Sequence, residues 1–242
     1  MIQDKFLIKG LGGKKTLHGS IIIGGAKNAA LKLMAASILF KDEVVLKNVP
    51  DIEDVKRMSD LLRGVGVSVV ANGKHMYTFN TQSKKNTTKL PADISKRLRA
   101  SIVLTGPVLG RFGKVSFPHP GGCVIGERPI DLFLEGFKKM GASVRVRNGS
   151  YVVETKKGLH GAEIFLKNQS VTATETFMMA GVLAKGETII KNAALEPEVE
   201  DLARFLISGG AKITGIGTTT IRVKGGKVLS ARRRTHTVLP DR

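Results

Sequence analysis

Leu62-Arg63-Gly64-Val65-Gly66-Val67-Ser68-Val69 returns further along the chain as Phe137-Lys138-Lys139-Met140-Gly141-Ala142-Ser143-Val144, and again as Leu206-Ile207-Ser208-Gly209-Gly210-Ala211-Lys212-Ile213. The aligned glycines Gly66, Gly141 and Gly210 recur at intervals of roughly 70 residues, longer than the usual solenoid period. Ahead of each glycine, apolar residues fall at offsets of three and four: Val55, Met58 and Leu62; Ile130, Phe133 and Phe137; Val199, Leu202 and Leu206. That spacing places the side chains on one face of a helix. The glycine then serves as a helix C-cap, and a strand follows.

Working outward, each copy has a further helix upstream, expected at Ala26–Phe40, Ser95–Leu109 and Thr172–Lys185. A short strand separates the two helices, at Glu43–Lys47, Lys114–Phe117 and Glu187–Lys191. After the second helix come paired strands: Val67–Val70 with Met76–Asn80, Ser143–Val146 with Tyr151–Glu154, and Lys212–Gly215 with Thr219–Val223. Asn72-Gly73, Asn148-Gly149 and Gly217 mark their turns. The expected unit is β-α-β-α-β-β, three times over, in an α+β fold with sheets packed on helices. Residues 1–20 precede the repeat, with a possible strand at Lys5–Lys9. Residues 227–242 follow it as a basic tail, expected to be a solvated linker.

The chain of 242 residues has ordinary apolar content and no long uncharged apolar run. Its start lacks the layout of a secretory signal, and one cysteine excludes an internal disulfide framework. A cytoplasmic location is the default expectation. The net charge of +19 favours an anionic ligand, whether nucleic acid, lipid headgroup or phosphorylated metabolite; the competing reading is a solvated lysine-rich surface. Single-stranded nucleic acid calls for stacking aromatics, yet the chain has no Trp and two tyrosines, Tyr77 and Tyr151.

The chemistry centres on Pro118–Asp131, which holds the single cysteine, Cys123, behind Gly121 and Gly122. Two readings stand: a small buried hydrophobe, or a reactive thiol on a flexible loop, with Arg128 nearby to favour the thiolate. The histidines show no metal-ligand spacing, and His18 and His160 recur in matching Leu-His-Gly contexts, which argues structure. No P-loop or dinucleotide fingerprint is present, so neither a metal nor an organic cofactor is expected.

Gly121-Gly122-Cys123-Val124-Ile125-Gly126-Glu127-Arg128-Pro129 resembles the catalytic loop of the UDP-N-acetylglucosamine 1-carboxyvinyltransferases, within the EPSP synthase-like superfamily. Gly25-Ala26-Lys27-Asn28-Ala29-Ala30-Leu31, Arg99-Ala100-Ser101, Gly106-Pro107, Glu196-Pro197-Glu198 and Val238-Leu239-Pro240-Asp241-Arg242 resemble family motifs in family order. The resemblance implies an inside-out α/β barrel lobe, or α/β prism, of three units. It also implies the transfer of enolpyruvyl from phosphoenolpyruvate to the 3′-hydroxyl of UDP-N-acetylglucosamine with release of phosphate, the first committed step of peptidoglycan synthesis. The family has two such lobes with the site between them, so the chain resembles the first lobe, inactive alone, and its partners are the two small-molecule substrates and the second lobe.

Residue by residue, the resemblance makes Cys123 the proton donor and the target of fosfomycin. Lys27 and Asn28 match the phosphoenolpyruvate-binding pair, at a helix start where free N–H groups favour an anion. Arg99 and Arg128 match forks that grip phosphate or carboxylate. Pro129, Ile130, Asp131 and Leu132 match one segment that binds the nucleotide sugar, and Asn168, Gln169, Ser170 and Val171 match the other. Structural alternatives remain: an exposed helical arginine for Arg99, a role that suits Arg97 better; a first-turn aspartate for Asp131; a helix N-cap for Ser170; salt bridging for Glu196 and Glu198. Glu127, Asn168 and Thr172 depart from the residues common in the family. The rivals are another enolpyruvyl transferase, an RNA 3′-phosphate cyclase, or a basic nucleic-acid-binding module on the same fold.

Overall fold

The aligned glycines do end helices: Gly66, Gly141 and Gly210 take φ of 93, 86 and 104°, a left-handed turn that side-chain-bearing residues rarely make. The computed structural model describes residues 7–10, 12–13, 16–81, 87–121, 129–232 and 235–242. In the first unit α1 (Lys27–Ala36) runs through a 3-10 turn into β1 (Val44–Lys47), α2 (Glu53–Gly64), β2 (Ser68–Ala71) and β3 (Met76–Asn80). The second comprises α3 (Ala92–Ser95), a 3-10 stretch Arg99–Leu104, α4 (Thr105–Phe112), β4 (Lys114–Pro118), α5 (Asp131–Lys139), β5 (Ser143–Arg147) and β6 (Ser150–Glu154). The third is β7 (Glu163–Phe165), α6 (Val171–Leu183), β8 (Glu187–Lys191), α7 (Pro197–Ser208), β9 (Lys212–Thr214) and β10 (Thr220–Lys224), and the tail adds β11 (Thr235–Thr237).

The protein is α+β, with helices inside and sheets outside. α1 and α6 are buried on almost every face, as helices apolar all round must be. α2, α5 and α7 bury one apolar stripe against them and the sheets. The sheets leave one side to solvent, as the exposed ends of β2 and β5 show. α4 approaches α6 closely because Gly106 faces it; a Cβ there would sit 2.3 Å from the Thr176 carbonyl oxygen. Among the described residues no helix is long and apolar enough to cross a membrane.

Several expectations need correction. The single helix over Ser95–Leu109 is broken into α3, the 3-10 stretch and α4, with Leu98 extended at φ −126° and ψ 106°. Pro107 accounts for the junction of the 3-10 stretch with α4: without an N–H it cannot continue the α ladder from upstream, yet it fits the first turn of a new helix. Among the described residues no leading strand precedes α1 in the first unit. The third unit shows the expected order, with β7 parallel to β8. In the first unit that parallel place beside β1 is taken by β11, from the far end of the chain. In the second it is a short parallel bridge, Lys89 to Ser116. Of the possible strand at Lys5–Lys9, residues 7–9 have no regular structure and 5–6 lie outside the described residues.

Equivalent side chains hold the two parallel edges. Asn48 at φ 57° donates through Nδ2 to the Val238 carbonyl (3.0 Å), and Asn192 at φ 56° donates to the Leu166 carbonyl (2.8 Å). Among the described residues the tail is anchored to the lobe at several points rather than being a free linker. Asp42 accepts from the Ser230 hydroxyl and the Ala231 N–H, both at 2.6 Å; His236 Nε2 lies 2.9 Å from Asp201 Oδ1; Val238 is fully buried. Ala26 N–H then donates to the Leu239 carbonyl (2.8 Å) and Asp241 N–H to Gly24 (2.9 Å), fixing the start of α1.

Candidate active site

Four stretches distant in sequence converge on one cavity of about 550 Å³. α1 brings Lys27, Asn28, Leu31 and Lys32. The 3-10 stretch and its approach bring Arg97, Leu98, Arg99, Ala100 and Ile102. The start of α5 brings Pro129, Asp131, Leu132 and Phe133, and the start of α6 brings Asn168, Ser170 and Thr172; Asp54 of α2 completes the lining. The size is that of a small-molecule site.

Each position has a local cause. Gly25 must be glycine, because a Cβ would stand 1.8 Å from the Asn48 carbonyl oxygen, and this close approach sets where α1 begins. Ala26, in the capping position, offers no side-chain oxygen, so the first N–H groups of α1 point out beside Lys27 and Asn28 without a side-chain cap. Lys27 lies 3.5 Å from Asp54, and with both side chains partly exposed this pair is weak and easily exchanged. Arg99 Nη1 donates to the Pro120 carbonyl (3.2 Å), tying the 3-10 stretch to the segment that leads into the glycine loop. Ser170 caps α6, accepting from Ala173 N–H at 3.3 Å, and also faces the cavity, so its two readings coexist.

Of the residues assigned from the resemblance, Lys27, Asn28, Arg99, Pro129, Asp131, Leu132, Asn168 and Ser170 share the cavity. Ile130 is buried behind it. Gln169 turns away, its amide donating to the Ala193 carbonyl at 2.8 Å, and Val171 is the first residue of α6, outside the lining. Cys123 and Arg128 lie outside the described residues. Asp131 is both the first-turn aspartate of α5 and a cavity residue. Glu198 is ion-paired with Arg242 at 3.4 Å, while Glu196 Oε2 is buried without a hydrogen-bond partner. His160 is structural, its ring packed where a Cβ on Gly141 would go.

Sequence reasoning missed the place of Arg97 in the cavity, having given it an exposed surface role; Arg97 is exposed and also lines the cavity, beside the helix break at Leu98. It also missed Lys32 and Glu175. Lys32 Nζ lies 3.2 Å from Glu175 Oε2, with both side chains buried. Neither Glu175 oxygen accepts a well-formed hydrogen bond. Burial pushes the Glu175 carboxyl up to about 7, Lys32 opposes this, and Glu198 and Glu196 add to it. A signal was present: Glu175 is the one charge in α6, and Lys32 sits among buried apolar residues of α1.

The EPSP synthase (3-phosphoshikimate 1-carboxyvinyltransferase) family model matches residues 11–242. The chain belongs to the EPSP synthase family. It is 45% identical over 240 residues to a UDP-N-acetylglucosamine 1-carboxyvinyltransferase of Idiomarina loihiensis, covering 99% of this chain and 56% of that protein. The enzyme of the same name from Rhodospirillum centenum is 44% identical over 250 residues, with 99% and 56% covered. The chain thus spans about half the length of the curated relatives it matches. In fold it is similar to the enolpyruvyl transferase NikO of Streptomyces tendae (TM-score 0.77, 22% identity, covering 93% of this chain and 52% of that one). The EPSP synthase of Acinetobacter baumannii is also similar (TM-score 0.74, 18% identity, 92% and 50% covered).

Proposed function

We propose that this chain supplies one half of the site of a UDP-N-acetylglucosamine enolpyruvyl transferase, a cytoplasmic enzyme of peptidoglycan synthesis. The observation that carries the reading is the convergence of Lys27, Asn28, Arg99, Asp131, Asn168 and Ser170, from separate units, on one cavity. Lys27 and the uncapped start of α1 suit the phosphate of phosphoenolpyruvate: a point charge beside free N–H groups is an anion site. Arg99 supplies a planar fork for a diphosphate or carboxylate. Asp131 and Asn168 offer the acceptors and donors that a uridine or an acetamido sugar requires.

The reaction adds the sugar hydroxyl to C2 of phosphoenolpyruvate while a proton reaches C3, and then expels phosphate with loss of a C3 proton. In this reading Cys123 is the proton donor and Arg128 grips the nucleotide sugar. We assign residues 21–226 to the three-unit lobe, 1–20 to a segment that packs on the remainder of such an enzyme, and 227–242 to the crossing into it. Support for the first segment comes from the exposed Leu7, Ile8 and Leu17, large apolar side chains with no cover among the described residues.

Titration with UDP-N-acetylglucosamine, followed by phosphate release in the presence of phosphoenolpyruvate, tests the proposal. Saturable binding that Arg99→Ala weakens, without turnover by this chain alone, is expected. Indifference to the nucleotide sugar refutes the substrate, and robust turnover refutes the division of the site.

A further inference from the structure

Lys32 stands at an unusual junction. It follows Asn28 by one helical turn, so the two share a face of α1, and both line the cavity. Its side chain is nevertheless almost wholly buried, and its ammonium lies 3.2 Å from a Glu175 carboxylate that is fully buried. Among the described residues neither of its oxygens accepts a well-formed hydrogen bond. The charged groups around it come from several elements. Glu196 and Glu198, at the start of α7, are both acidic and push against its negative form, and Glu198 is itself neutralised by Arg242. On the cavity side stand Lys27, Arg97 and Arg99, with Asp54 and Asp131 as the opposing acids.

A buried ion pair held by one imperfect contact is poorly repaid for its lost hydration. An anion in the cavity offers the ammonium a second partner, and the acid left behind has a neutral form open to it. We propose that Lys32 is an exchangeable cation of this site: its ammonium leaves Glu175 for an anionic oxygen of the ligand, and Glu175 takes up one proton from solvent as it does. The ammonium keeps its charge throughout, so the net event is protonation of one carboxylate per anion bound. The inference rests on the reading of this cavity as an anion site and goes beyond it, since no residue of the resemblance falls on position 32 or 175.

The consequence is a pH-dependent affinity. With Glu175 titrating at about 7 in the free protein, binding draws on the protonated fraction. That fraction is about one half at pH 7 and about one tenth at pH 8, so apparent affinity falls about fivefold between them. Proton uptake at pH 7 is about half a proton per ligand.

The test is isothermal titration at pH 7 and pH 8, in buffers of differing ionisation enthalpy. UDP-N-acetylglucosamine and sulfate serve as separate probes, neither of which titrates near neutrality. The wild-type chain is expected to take up protons with both, and Glu175→Gln to bind without uptake and with equal affinity at the two pH values. Lys32→Met is expected to bind about tenfold more weakly, the loss of one charge-assisted contact. Should Lys32→Met fail to fold, Glu175→Gln decides alone. Unchanged uptake in Glu175→Gln, or unchanged affinity in a folded Lys32→Met, overturns the proposal. Sulfate binding with this linkage, but no nucleotide-sugar binding, refutes the proposed substrate and leaves the exchange standing. No binding of either probe refutes both.

Discussion

Replacing Gly136 with alanine separates this structure from a generic reading of its sequence. Gly136 lies in the middle of α5, where alanine ordinarily adds about 0.5–1 kcal/mol of stability. Here a Cβ would stand 2.1 Å from Phe177 Cζ and 2.4 Å from Cε1. Carbon atoms rest at about 3.5–4.0 Å, so one partner must retreat by more than an ångström. The Phe177 ring has no room to do so: it is fully buried, with the Phe137 ring edge-on at 5.5 Å and the Phe133 ring at 6.2 Å. The strain of such overpacking is about 1–3 kcal/mol, which outweighs the helix gain and leaves a net loss of about 1–2 kcal/mol. Gly110 of α4 is the control, because its Cβ would meet nothing closer than 3.6 Å. Alanine there is expected to stabilise by about 0.5 kcal/mol. Urea unfolding of the two variants measures both, and α5 displaced from α6 is expected to weaken ligand binding too, since it carries Asp131, Leu132 and Phe133 into the cavity. Stabilisation by Gly136→Ala, or the same sign for both variants, would refute the packing described between α5 and α6.

Ser170→Ala removes the cap of α6 and is expected to cost about 1 kcal/mol in thermal unfolding, with weaker ligand binding besides. Burial pushes the Asp42 carboxyl up, but hydrogen bonds from Ser230, Ala231 and Arg232 outweigh it and hold the group below its usual value. Its contribution is therefore present above the unfolded carboxylate range and lost as pH falls through the lowered value. Asp42→Ala is expected to free the tail, seen as faster tryptic cleavage near Arg232 at pH 7, and acid should do the same to the wild type. Glu175 has the opposite sign. Its raised value means its carboxyl is best tolerated below about pH 4.5, and stability is lost as pH rises towards and through 7. Denaturant unfolding from pH 5 to pH 8 should show a decline on the order of 3 kcal/mol that Glu175→Gln lacks.

The repeat was legible because its signals are local: a glycine that must turn left-handed, and apolar offsets within one helix. The docked tail was not, because β11 pairs with β1 across 190 residues and its own composition is basic. No local pattern announces a parallel edge strand arriving from the far end of the chain. In the site, the positions that touch solvent or start a helix could be named from their motifs. Lys32 and Glu175 escaped because each residue type is ordinarily solvated, and only their pairing across two apolar helices explains them. Arg97 escaped because an exposed arginine is ordinarily just solvated, and only its place beside the cavity sets it apart.

The most direct measurement is the amide spectrum of the labelled chain titrated with UDP-N-acetylglucosamine. Shifts are expected to cluster at Lys27–Asn28, Arg97–Ile102, Asp131–Phe133 and Asn168–Thr172, the four stretches that meet at the cavity. A saturating nucleotide sugar that leaves those amides unmoved, or that moves the exposed basic strand Ser143–Arg147 instead, would contradict the assignment of this cavity.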